Sequence, residues 1–345
     1  MKVFNDIFMG RELIFIAEIG LNHNGDPDIA ARMITEAYNA GADAVKFQTF
    51  VPEYMYSVYS NSLIEYGCEK AGDPQNIDFF RKFVLDKDVY VKLMRQTENL
   101  GMEFFSSPFD VDSVDFLEDI GIRIYKIASS EVTNHFLLKR IAYTKKPVIM
   151  STGISTEDEI SMAIDLLRSS GTPDVVLMHC VSLYPLSSEK VNLKRIVSLK
   201  KRFNLNVGFS DHTKEIFATQ AAVMLGARIF EKHFTIDRDY ECPDKNISLT
   251  QSEFKKMRQS VEVNMSMLGD GEIDYDIIEE ITAKSARKSL FARRHIPKGK
   301  QIELDDIIPK RPGIGIPVYK MNSIIGKKCK NNIEEDFLLR EEYLQ

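Results

Sequence analysis

The sequence predicts a closed (β/α)8 barrel followed by a small domain of short strands and turns. Eight short apolar runs alternate with helical patterns over about 250 residues, which is typical of such a barrel. No G-x-G-x-x-G motif follows the first run, so a doubly wound sheet is the weaker alternative. Beyond Gly269 the segments are short and punctuated by Pro and Gly. We therefore predict the barrel over residues 1–282 and the small domain over residues 283–345.

Apolar runs and helical patterns give the order of the elements. The predicted strands are Leu13–Ile19, Ala44–Thr49, Glu103–Ser106, Arg123–Ala128, Pro147–Ser151, Asp174–Cys180, Val207–Ser210 and Ala227–Phe234. The predicted helices are Asp28–Ala40, Asp86–Leu100, Val111–Asp119, His135–Thr144, Thr156–Ser169, Glu189–Phe203, Glu215–Leu225 and Ser252–Leu268. Segment Tyr54–Tyr66 lies in an unusually long polar stretch after the second strand, and we expect it to act as a lid.

The composition excludes several classes of protein. It is 44% hydrophobic and 28% charged, as in soluble globular proteins, and no apolar run approaches the roughly 18 residues that cross a bilayer. A net charge of −6 argues against a nucleic-acid partner. Cys68, Cys180, Cys242 and Cys329 are far apart and form no C-x-x-C motif, so we expect reduced thiols and a cytoplasmic location.

Two short apolar runs, in the seventh and eighth predicted strand regions, each lead to a histidine, His212 and His233. Because side chains alternate along a strand, Ser210 shares a face with His212, and Glu231 shares a face with His233. Neutral imidazoles suit a divalent transition metal, and two of them leave coordination positions open for water and substrate. Asp244 could be a third ligand or could hold a substrate hydroxyl. The alternative is a pair of hydrogen-bonded structural histidines.

Charged side chains also fall within the apolar strands. Glu18 lies near the end of the first strand, Lys46 shares a face of the second strand with Gln48, and Lys126 lies in the fourth. A lysine in an apolar strand needs an anion or a carboxylate close by. These lysines therefore predict an anionic substrate; the alternative is a structural ion pair, such as Glu18 with Lys46, inside the barrel.

Hydroxyl groups follow several of the same strands. Singly, each is best explained as a helix cap or turn residue. Together with two lysines at one rim, they predict a phosphate cradle. The S-T-G sequence at Ser151–Gly153 adds backbone amides close to the helix that starts at Thr156. The hydroxyl residues are Ser129, Ser151, Thr152, Ser182 and Ser210.

A set of motifs, found in order along nearly the whole chain, resembles the sialic acid synthases. They are A-E-I-G-L-N-H-N-G, V-K-F-Q-T, Y-K-I-A-S-S-E, M-S-T-G, C-V-S-L-Y-P, F-S-D-H-T and E-K-H-F-T. That family includes N-acylneuraminate, legionaminate and pseudaminate synthases and spore-coat polysaccharide proteins. The tail motifs I-P-K-G and K-R-P-G-I-G resemble the antifreeze-like (SAF) domain that these enzymes carry. The resemblance assigns the small domain to the SAF type.

The resemblance implies condensation of phosphoenolpyruvate with an N-acetylated hexose, such as N-acetylmannosamine, to a nine-carbon 2-keto acid. It implies that His212 and His233 hold Mn²⁺, with Mg²⁺ or Co²⁺ as alternatives. The metal-bound water or the sugar would then be contacted by Glu18, Tyr184 and Asp244. The phosphoenolpyruvate site would comprise Lys46, Lys126, Ser129, Ser151, Ser182 and Ser210, with Gln48 in the substrate-binding set.

The resemblance further implies a domain-swapped homodimer in polysaccharide biosynthesis. Arg311, in K-R-P-G, would reach from the SAF domain into the other subunit's barrel and bind the N-acyl group of the sugar. Two departures from the family pattern concern the acceptor: Ser182 replaces an Asn, and E-C-P-D replaces P-G-P-D around Asp244. The acceptor could therefore instead be a 2,4-diacetamido-trideoxyhexose.

Three other functions are compatible with the same residues. A Schiff-base aldolase would use Lys46 or Lys126 as its nucleophile. A 3-deoxy-octulosonate 8-phosphate synthase would use a phosphorylated sugar, although the SAF-like tail argues against it. A non-catalytic sugar-binding protein of polysaccharide assembly is disfavoured, because burying two lysines and two histidines without a ligand is costly.

Overall fold

The chain folds into two compact units. The computed structural model describes residues 13–57, 77–273 and 276–345. One unit ends at Gly269 and the other begins at Asp270. The boundary between the two units thus lies earlier in the chain than the predicted one between residues 282 and 283. The reason is a helix, Ile277–Ala286, that belongs to the second unit, where the Lys284 carbonyl accepts a hydrogen bond from the Gly313 amide.

The first unit is a closed barrel of eight parallel strands, in which each strand pairs with the next and β1 pairs with β8. This confirms the predicted fold class and excludes a doubly wound sheet. The strands are β1 Ile14–Gly20, β2 Ala44–Thr49, β3 Glu103–Pro108, β4 Tyr125–Ile127, β5 Val148–Ser151, β6 Val175–His179, β7 Val207–Asp211 and β8 Ile229–His233.

The eight predicted helices form close to their predicted positions, and three further helices form within the residues that the structure describes. Together they are α1 Pro27–Asn39, α2 Pro52–Met55, α3 Ile77–Arg81, α4 Lys87–Asn99, α5 Val111–Ile120, α6 His135–Tyr143, α7 Glu157–Ser170, α8 Lys194–Phe203, α9 Phe217–Met224, α10 Gln251–Met267 and α11 Ile277–Ala286. Of these, α2, α3 and α11 were not predicted. The largest difference is at α8, which begins later than predicted because Asn192 adopts a left-handed φ of 49°. The predicted lid, residues 54–66, lies mostly outside the described residues. Among the described residues, no helix is long and apolar enough to span a bilayer.

The barrel interior has an apolar floor and a polar rim. Side chains from alternate strand positions fill its lower part: Ile14, Ile16, Ala44, Phe105, Ile124, Ile149, Val176, Met178 and Ile229. One further step along the strands, the inward positions change to charged and hydroxyl side chains such as Glu18, Lys46 and Ser151. This arrangement places the polar side chains at the carboxyl ends of the strands, where barrel enzymes carry their chemistry.

The second unit is small and mostly irregular, as predicted. Strands β9, Ser289–Ala292, and β10, Ile307–Lys310, pair antiparallel. Its core contains Leu290, Ala292, Ile296, Ile302, Ile307, Ile316, Ile324, Cys329, Ile333, Leu339 and Leu344. Cys329 is a free thiol, as are Cys180 and Cys242 in the barrel.

Candidate active site

The carboxyl ends of the barrel strands bring most of the predicted site residues together. The register places Glu18 beside both Lys46 and His233. Arg311 is different, since it lies in the second unit, exposed in the segment that follows β10. The residues assembled at the rim of the barrel are Glu18, Lys46, Gln48, Lys126, Ser129, Ser151, Ser182, Tyr184, Ser210, His212, His233 and Asp244.

Lys46 is held by two carboxylates. Its Nζ atom lies 3.1 Å from Oε2 of Glu18 and 3.6 Å from Oε1 of Glu231. It also donates to Ser107 Oγ over 3.3 Å, and Gln48 Nε2 donates to Glu18 Oε1 over 3.0 Å. The ion pair between Glu18 and Lys46, the structural alternative, therefore forms in the structure.

Within the described ranges, the positive charge of Lys126 has no carboxylate as close as those beside Lys46. Its ammonium is buried and donates to Ser151 Oγ over 2.6 Å, but Glu231 Oε2 is 3.9 Å away. Burial lowers the pKa of Lys126, and the neighbouring charge of Lys46 lowers it further. Burial alone would raise the pKa of Glu231, yet Lys126 and Lys46 together hold it at about 2. Glu18 is the second carboxylate beside Lys46. Burial raises the pKa of Glu18.

Glu231 and Ser107 also lie in the group of polar side chains around Lys46 and Lys126, and neither was predicted as a site residue. Ser210 Oγ donates to Glu231 Oε1 over 2.9 Å, whereas Glu231 Oε2 is buried without a hydrogen bond. The alternation of side chains along a strand could have indicated Glu231, because it puts Glu231 on the same face as His233. The same alternation, counted from the inward-facing Phe105, would have found Ser107.

Three side chains converge on Gly153, just beyond β5. A Cβ atom on this glycine would lie 2.5 Å from Ser182 Oγ, 2.8 Å from Ser129 Oγ and 3.1 Å from Cys180 Sγ. The Gly153 amide donates to Ser129 Oγ over 3.0 Å. The lack of a side chain at this position thus lets the loops after β4, β5 and β6 approach one another and gather their hydroxyls.

The two imidazoles at the ends of β7 and β8 lie side by side. Their ring centroids are 5.5 Å apart, and the Tyr184 ring lies 4.2 Å from that of His212. His212 Nδ1 donates to the Val181 carbonyl over 2.9 Å, which leaves the Nε2 lone pair available to a ligand. His233 Nδ1 lies 3.1 Å from Asp244 Oδ2, although the two atoms are not aligned as a hydrogen bond.

This donor set fits a divalent ion held by two imidazoles. Both rings are buried, and because Nδ1 of His212 faces the Val181 carbonyl and Nδ1 of His233 faces Asp244, the Nε2 atom of each ring remains for a ligand. In the described part of the chain, no three His, Cys, Asp or Glu side chains converge as a complete metal cluster. Two protein ligands would leave the remaining positions to water and substrate oxygen atoms, as a catalytic ion requires.

Comparison with known proteins identifies the family. A model described as the NeuB family matches residues 33–273, which is more than half of the chain. The chain belongs to the NeuB family. A SAF domain model matches residues 287–344, so this NeuB-family member carries the predicted C-terminal domain.

Several relatives of this NeuB-family chain are named as legionaminic, pseudaminic or sialic acid synthases. The N,N'-diacetyllegionaminic acid synthase of Campylobacter jejuni is 37% identical over 333 residues, covering 96% of this chain and 100% of the relative. A pseudaminic acid synthase of Campylobacter jejuni is 36% identical over 334 residues, covering 96% of both. The crystal structure of the sialic acid synthetase of Leptospira borgpetersenii, in complex with citrate, superimposes with a TM-score of 0.71 at 33% identity, covering 79% of this chain and 90% of that one. The predicted family is thus confirmed.

Proposed function

We propose that this chain condenses phosphoenolpyruvate with the open-chain form of an N-acetylated hexose, such as N-acetylmannosamine. The products are a nine-carbon 2-keto acid and phosphate. Lys126 supports this most strongly: it is a buried ammonium beside Ser151 Oγ, and its nearest carboxylate oxygen, on Glu231, is 3.9 Å away. A buried cation so poorly compensated is stabilised by an arriving anion. Phosphoenolpyruvate is such an anion, with a phosphate and a carboxylate.

The arrangement suggests a role for each charged group. Lys46 and Lys126 would bind the anionic groups of phosphoenolpyruvate and direct its C3 atom at the sugar aldehyde carbon. A carbon–carbon bond forms there, the aldehyde oxygen takes up a proton, and water adds to the cationic C2. Glu18, held by Gln48, would accept the proton of that water, because burial raises its pKa. Cleavage of the bond between C2 and the ester oxygen then releases phosphate and leaves the 2-keto group.

His212 and His233 would hold the divalent ion, with Mn²⁺ as the first candidate and Mg²⁺ or Co²⁺ as alternatives. When bound, the ion supplies Lewis acidity at the sugar aldehyde oxygen. Tyr184 and Asp244 lie against the two imidazoles and would bind sugar hydroxyls. In a domain-swapped homodimer, Arg311 of one subunit would bind the N-acyl group in the other subunit's barrel.

A second candidate acceptor is a 2,4-diacetamido-trideoxyhexose. Relatives named legionaminic and pseudaminic acid synthases are 37% and 36% identical, whereas the named sialic acid synthetase is 33% identical. Ser182 is also shorter than the asparagine of many sialic acid synthases, as noted above. The relatives named legionaminic and pseudaminic acid synthases support this second candidate, and both acceptors require the same reaction at the lysines.

Phosphate release tests the proposal. The protein is incubated with phosphoenolpyruvate, Mn²⁺ and one sugar: N-acetylmannosamine, its 6-phosphate or a 2,4-diacetamido-trideoxyhexose. We expect release that requires both substrates, and its rate across the panel identifies the acceptor. If no sugar gives phosphate, the chain is a non-catalytic sugar-binding protein; preference for the 6-phosphate favours a phosphorylated acceptor. Covalent trapping of pyruvate by borohydride would instead support the Schiff-base aldolase, since only an imine is reduced to an adduct.

A further inference from the structure

Asn22 is a buried residue in the loop after β1 whose side-chain amide binds two separate segments. Its Nδ2 donates to the Phe234 carbonyl and to Ser248 Oγ, both over 2.9 Å. Its Oδ1 accepts a hydrogen bond from the Asp244 amide over 3.0 Å. The residue is fully buried, so both amide protons and the carbonyl oxygen are used away from water.

These bonds close a ring around Asp244. Ser248 Oγ, which accepts from Asn22, donates onward to the Asp244 carbonyl over 2.7 Å. The amide and the carbonyl of Asp244 are therefore both bound: the amide by Asn22, and the carbonyl by Ser248 Oγ together with the Ile247 and Ser248 amides, both at 3.1 Å. With its backbone fixed on both sides, Asp244 has few ways to move its carboxylate.

The same amide fixes the other side of the contact between Asp244 and His233. Phe234, whose carbonyl accepts from Asn22, directly follows His233 at the end of β8. Asn22 thus holds the strand that carries the imidazole and the loop that carries the carboxylate, and Nδ1 of His233 lies 3.1 Å from Oδ2 of Asp244. Carboxylates in this position orient a ligating histidine and raise its basicity.

We propose that Asn22 is a positioning residue, which sets the orientation of the His233 imidazole by holding Asp244 against it. Asn22 would not contact the substrates, because its side chain is fully buried and both of its amide protons are donated to the protein. The inference rests on the proposed function, in which His233 is a metal ligand. Its specific consequence is that removing the Asn22 amide weakens metal binding and turnover without disturbing the phosphoenolpyruvate site at the lysines.

The chain offers a matched control two residues away. Asn24 belongs to the same loop, and its Nδ2 donates to Tyr240 Oη over 3.0 Å and to the Glu241 carbonyl over 2.7 Å. It therefore ties the same two loops together but makes no contact with Asp244. Its φ of 52° is left-handed, so Asn24→Gly removes both hydrogen bonds without backbone strain.

The test compares the parent with Asn22→Ala, Ser248→Ala and Asn24→Gly. Mn²⁺ affinity is measured by calorimetric titration, and kcat and KM by phosphate release. We expect Asn22→Ala to bind Mn²⁺ about 10–100-fold more weakly and to lose kcat, with an unchanged KM for phosphoenolpyruvate. Ser248→Ala, which leaves the Asn22 bond to the Asp244 amide, should show a smaller loss, and Asn24→Gly should match the parent.

Several outcomes overturn the inference. Parent-like Mn²⁺ affinity of Asn22→Ala overturns it. So does an Mn²⁺ affinity of Asn24→Gly that falls as much as that of Asn22→Ala, because any loss of anchoring between the two loops would then have the same effect. If Asn22→Ala does not fold, Asn22→Ser, whose shorter side chain cannot make all three hydrogen bonds, decides by the same measurements, and parent-like Mn²⁺ affinity there overturns the inference. A parent that neither binds Mn²⁺ nor releases phosphate removes the proposed function as well, whereas an active parent with a parent-like Asn22→Ala removes this inference alone.

Discussion

Glu18 and Lys46 face each other on neighbouring strands inside the barrel, with their charged atoms 3.1 Å apart. Taking such a pair out of water costs several kcal/mol per ion, and the attraction of the pair rarely returns more than that cost. The ion pair is thus weak evidence of a purely structural role. Glu231 provides a second carboxylate for Lys46. Glu18 would therefore be free to act as the proposed base when an anionic substrate binds.

A double-mutant cycle on this pair separates stability from catalysis. Lys46→Met leaves Glu18 without its partner, and we expect it to lower the free energy of unfolding by about 3–5 kcal/mol and to abolish phosphate release. Adding Glu18→Gln removes the uncompensated charge and should restore most of the stability but none of the activity. Thermal unfolding and phosphate release check both variants. Recovery of activity in the double variant would show that Lys46 has only a structural role.

Removing either imidazole tests the metal site. We expect His212→Ala and His233→Ala to abolish turnover while the circular dichroism spectrum stays that of the parent. Treatment with a chelator should have the same effect on the parent, and added Mn²⁺ should restore its activity. His295→Ala, in an exposed part of the second unit, is the control and should remain active. Full activity of the parent in metal-free buffer contradicts the metal role.

Gly153→Ala tests the hydroxyl cluster. The added methyl group would lie 2.5 Å from Ser182 Oγ and 2.8 Å from Ser129 Oγ, so both side chains must move. We expect the KM for phosphoenolpyruvate to rise about tenfold, a loss of about 1.4 kcal/mol of binding, while Mn²⁺ affinity is unchanged. Steady-state kinetics measure the effect, and an unaltered KM would place these hydroxyls outside the substrate site.

Mixing two inactive variants tests the domain-swapped dimer. One carries His212→Ala with Arg311 intact, and the other carries Arg311→Ala with an intact barrel. If Arg311 acts in the other subunit's barrel, roughly a quarter of the sites in randomly mixed dimers are complete, and activity returns to that level. Phosphate release is measured after the subunits are unfolded and refolded together. No recovery in a mixture that forms dimers means that Arg311 acts in its own chain or not at all.

The second unit should show an acid dependence through Asp306. Burial alone would raise the pKa of this carboxyl, but hydrogen bonds from Lys300 and Arg294 at 2.6 and 2.7 Å, and from the Glu303 amide, lower it. The resulting stabilisation is present above the ordinary carboxyl pKa of about 4 and is lost as the pH falls through the lower folded pKa.

Asp306→Asn should therefore accelerate hydrogen exchange at β9 near neutral pH. The measurement uses the full chain, with parent and variant compared at the same pH so that intrinsic exchange cancels. The difference between them should shrink as the pH is lowered towards about 3. A difference that stays constant with pH would mean that the carboxylate charge does not stabilise this unit.

The barrel was largely predictable because strands and helices alternate along the chain with clear apolar patterns. Helix α11 was not predicted, since none of its residues is buried and its apolar side chains give no core-facing pattern. Strand alternation also placed Glu18, Lys46 and His233 on inward faces. The pairing of Glu231 with both lysines is harder to infer, because it depends on closure of the barrel, which brings β8 opposite β2 and β4.

The role of Asn22 lies beyond sequence patterns for a related reason. N-H-N-G reads as a turn, and as a turn it needs no distant partner. Only the folded chain brings Asn22 into contact with Asp244 and Ser248, more than two hundred residues away. Long-range polar contacts of this kind have no local signature, unlike the N-cap of α1, where Asp26 binds the amides of Asp28 and Ile29.

The apolar floor of the barrel has a kinetic consequence. Because Ile16, Phe105 and Met178 close the interior from below, both reactants and both products of the proposed reaction would pass through the same opening. Lys46 and Lys126 stand one inward position above the floor residues Ala44 and Ile124, whereas His233 stands two above Ile229. In the proposed reaction the enol phosphate would therefore bind before the sugar covers it. Turnover would then follow a compulsory order of arrival, and a sugar that binds prematurely would inhibit the enzyme by blocking its co-substrate.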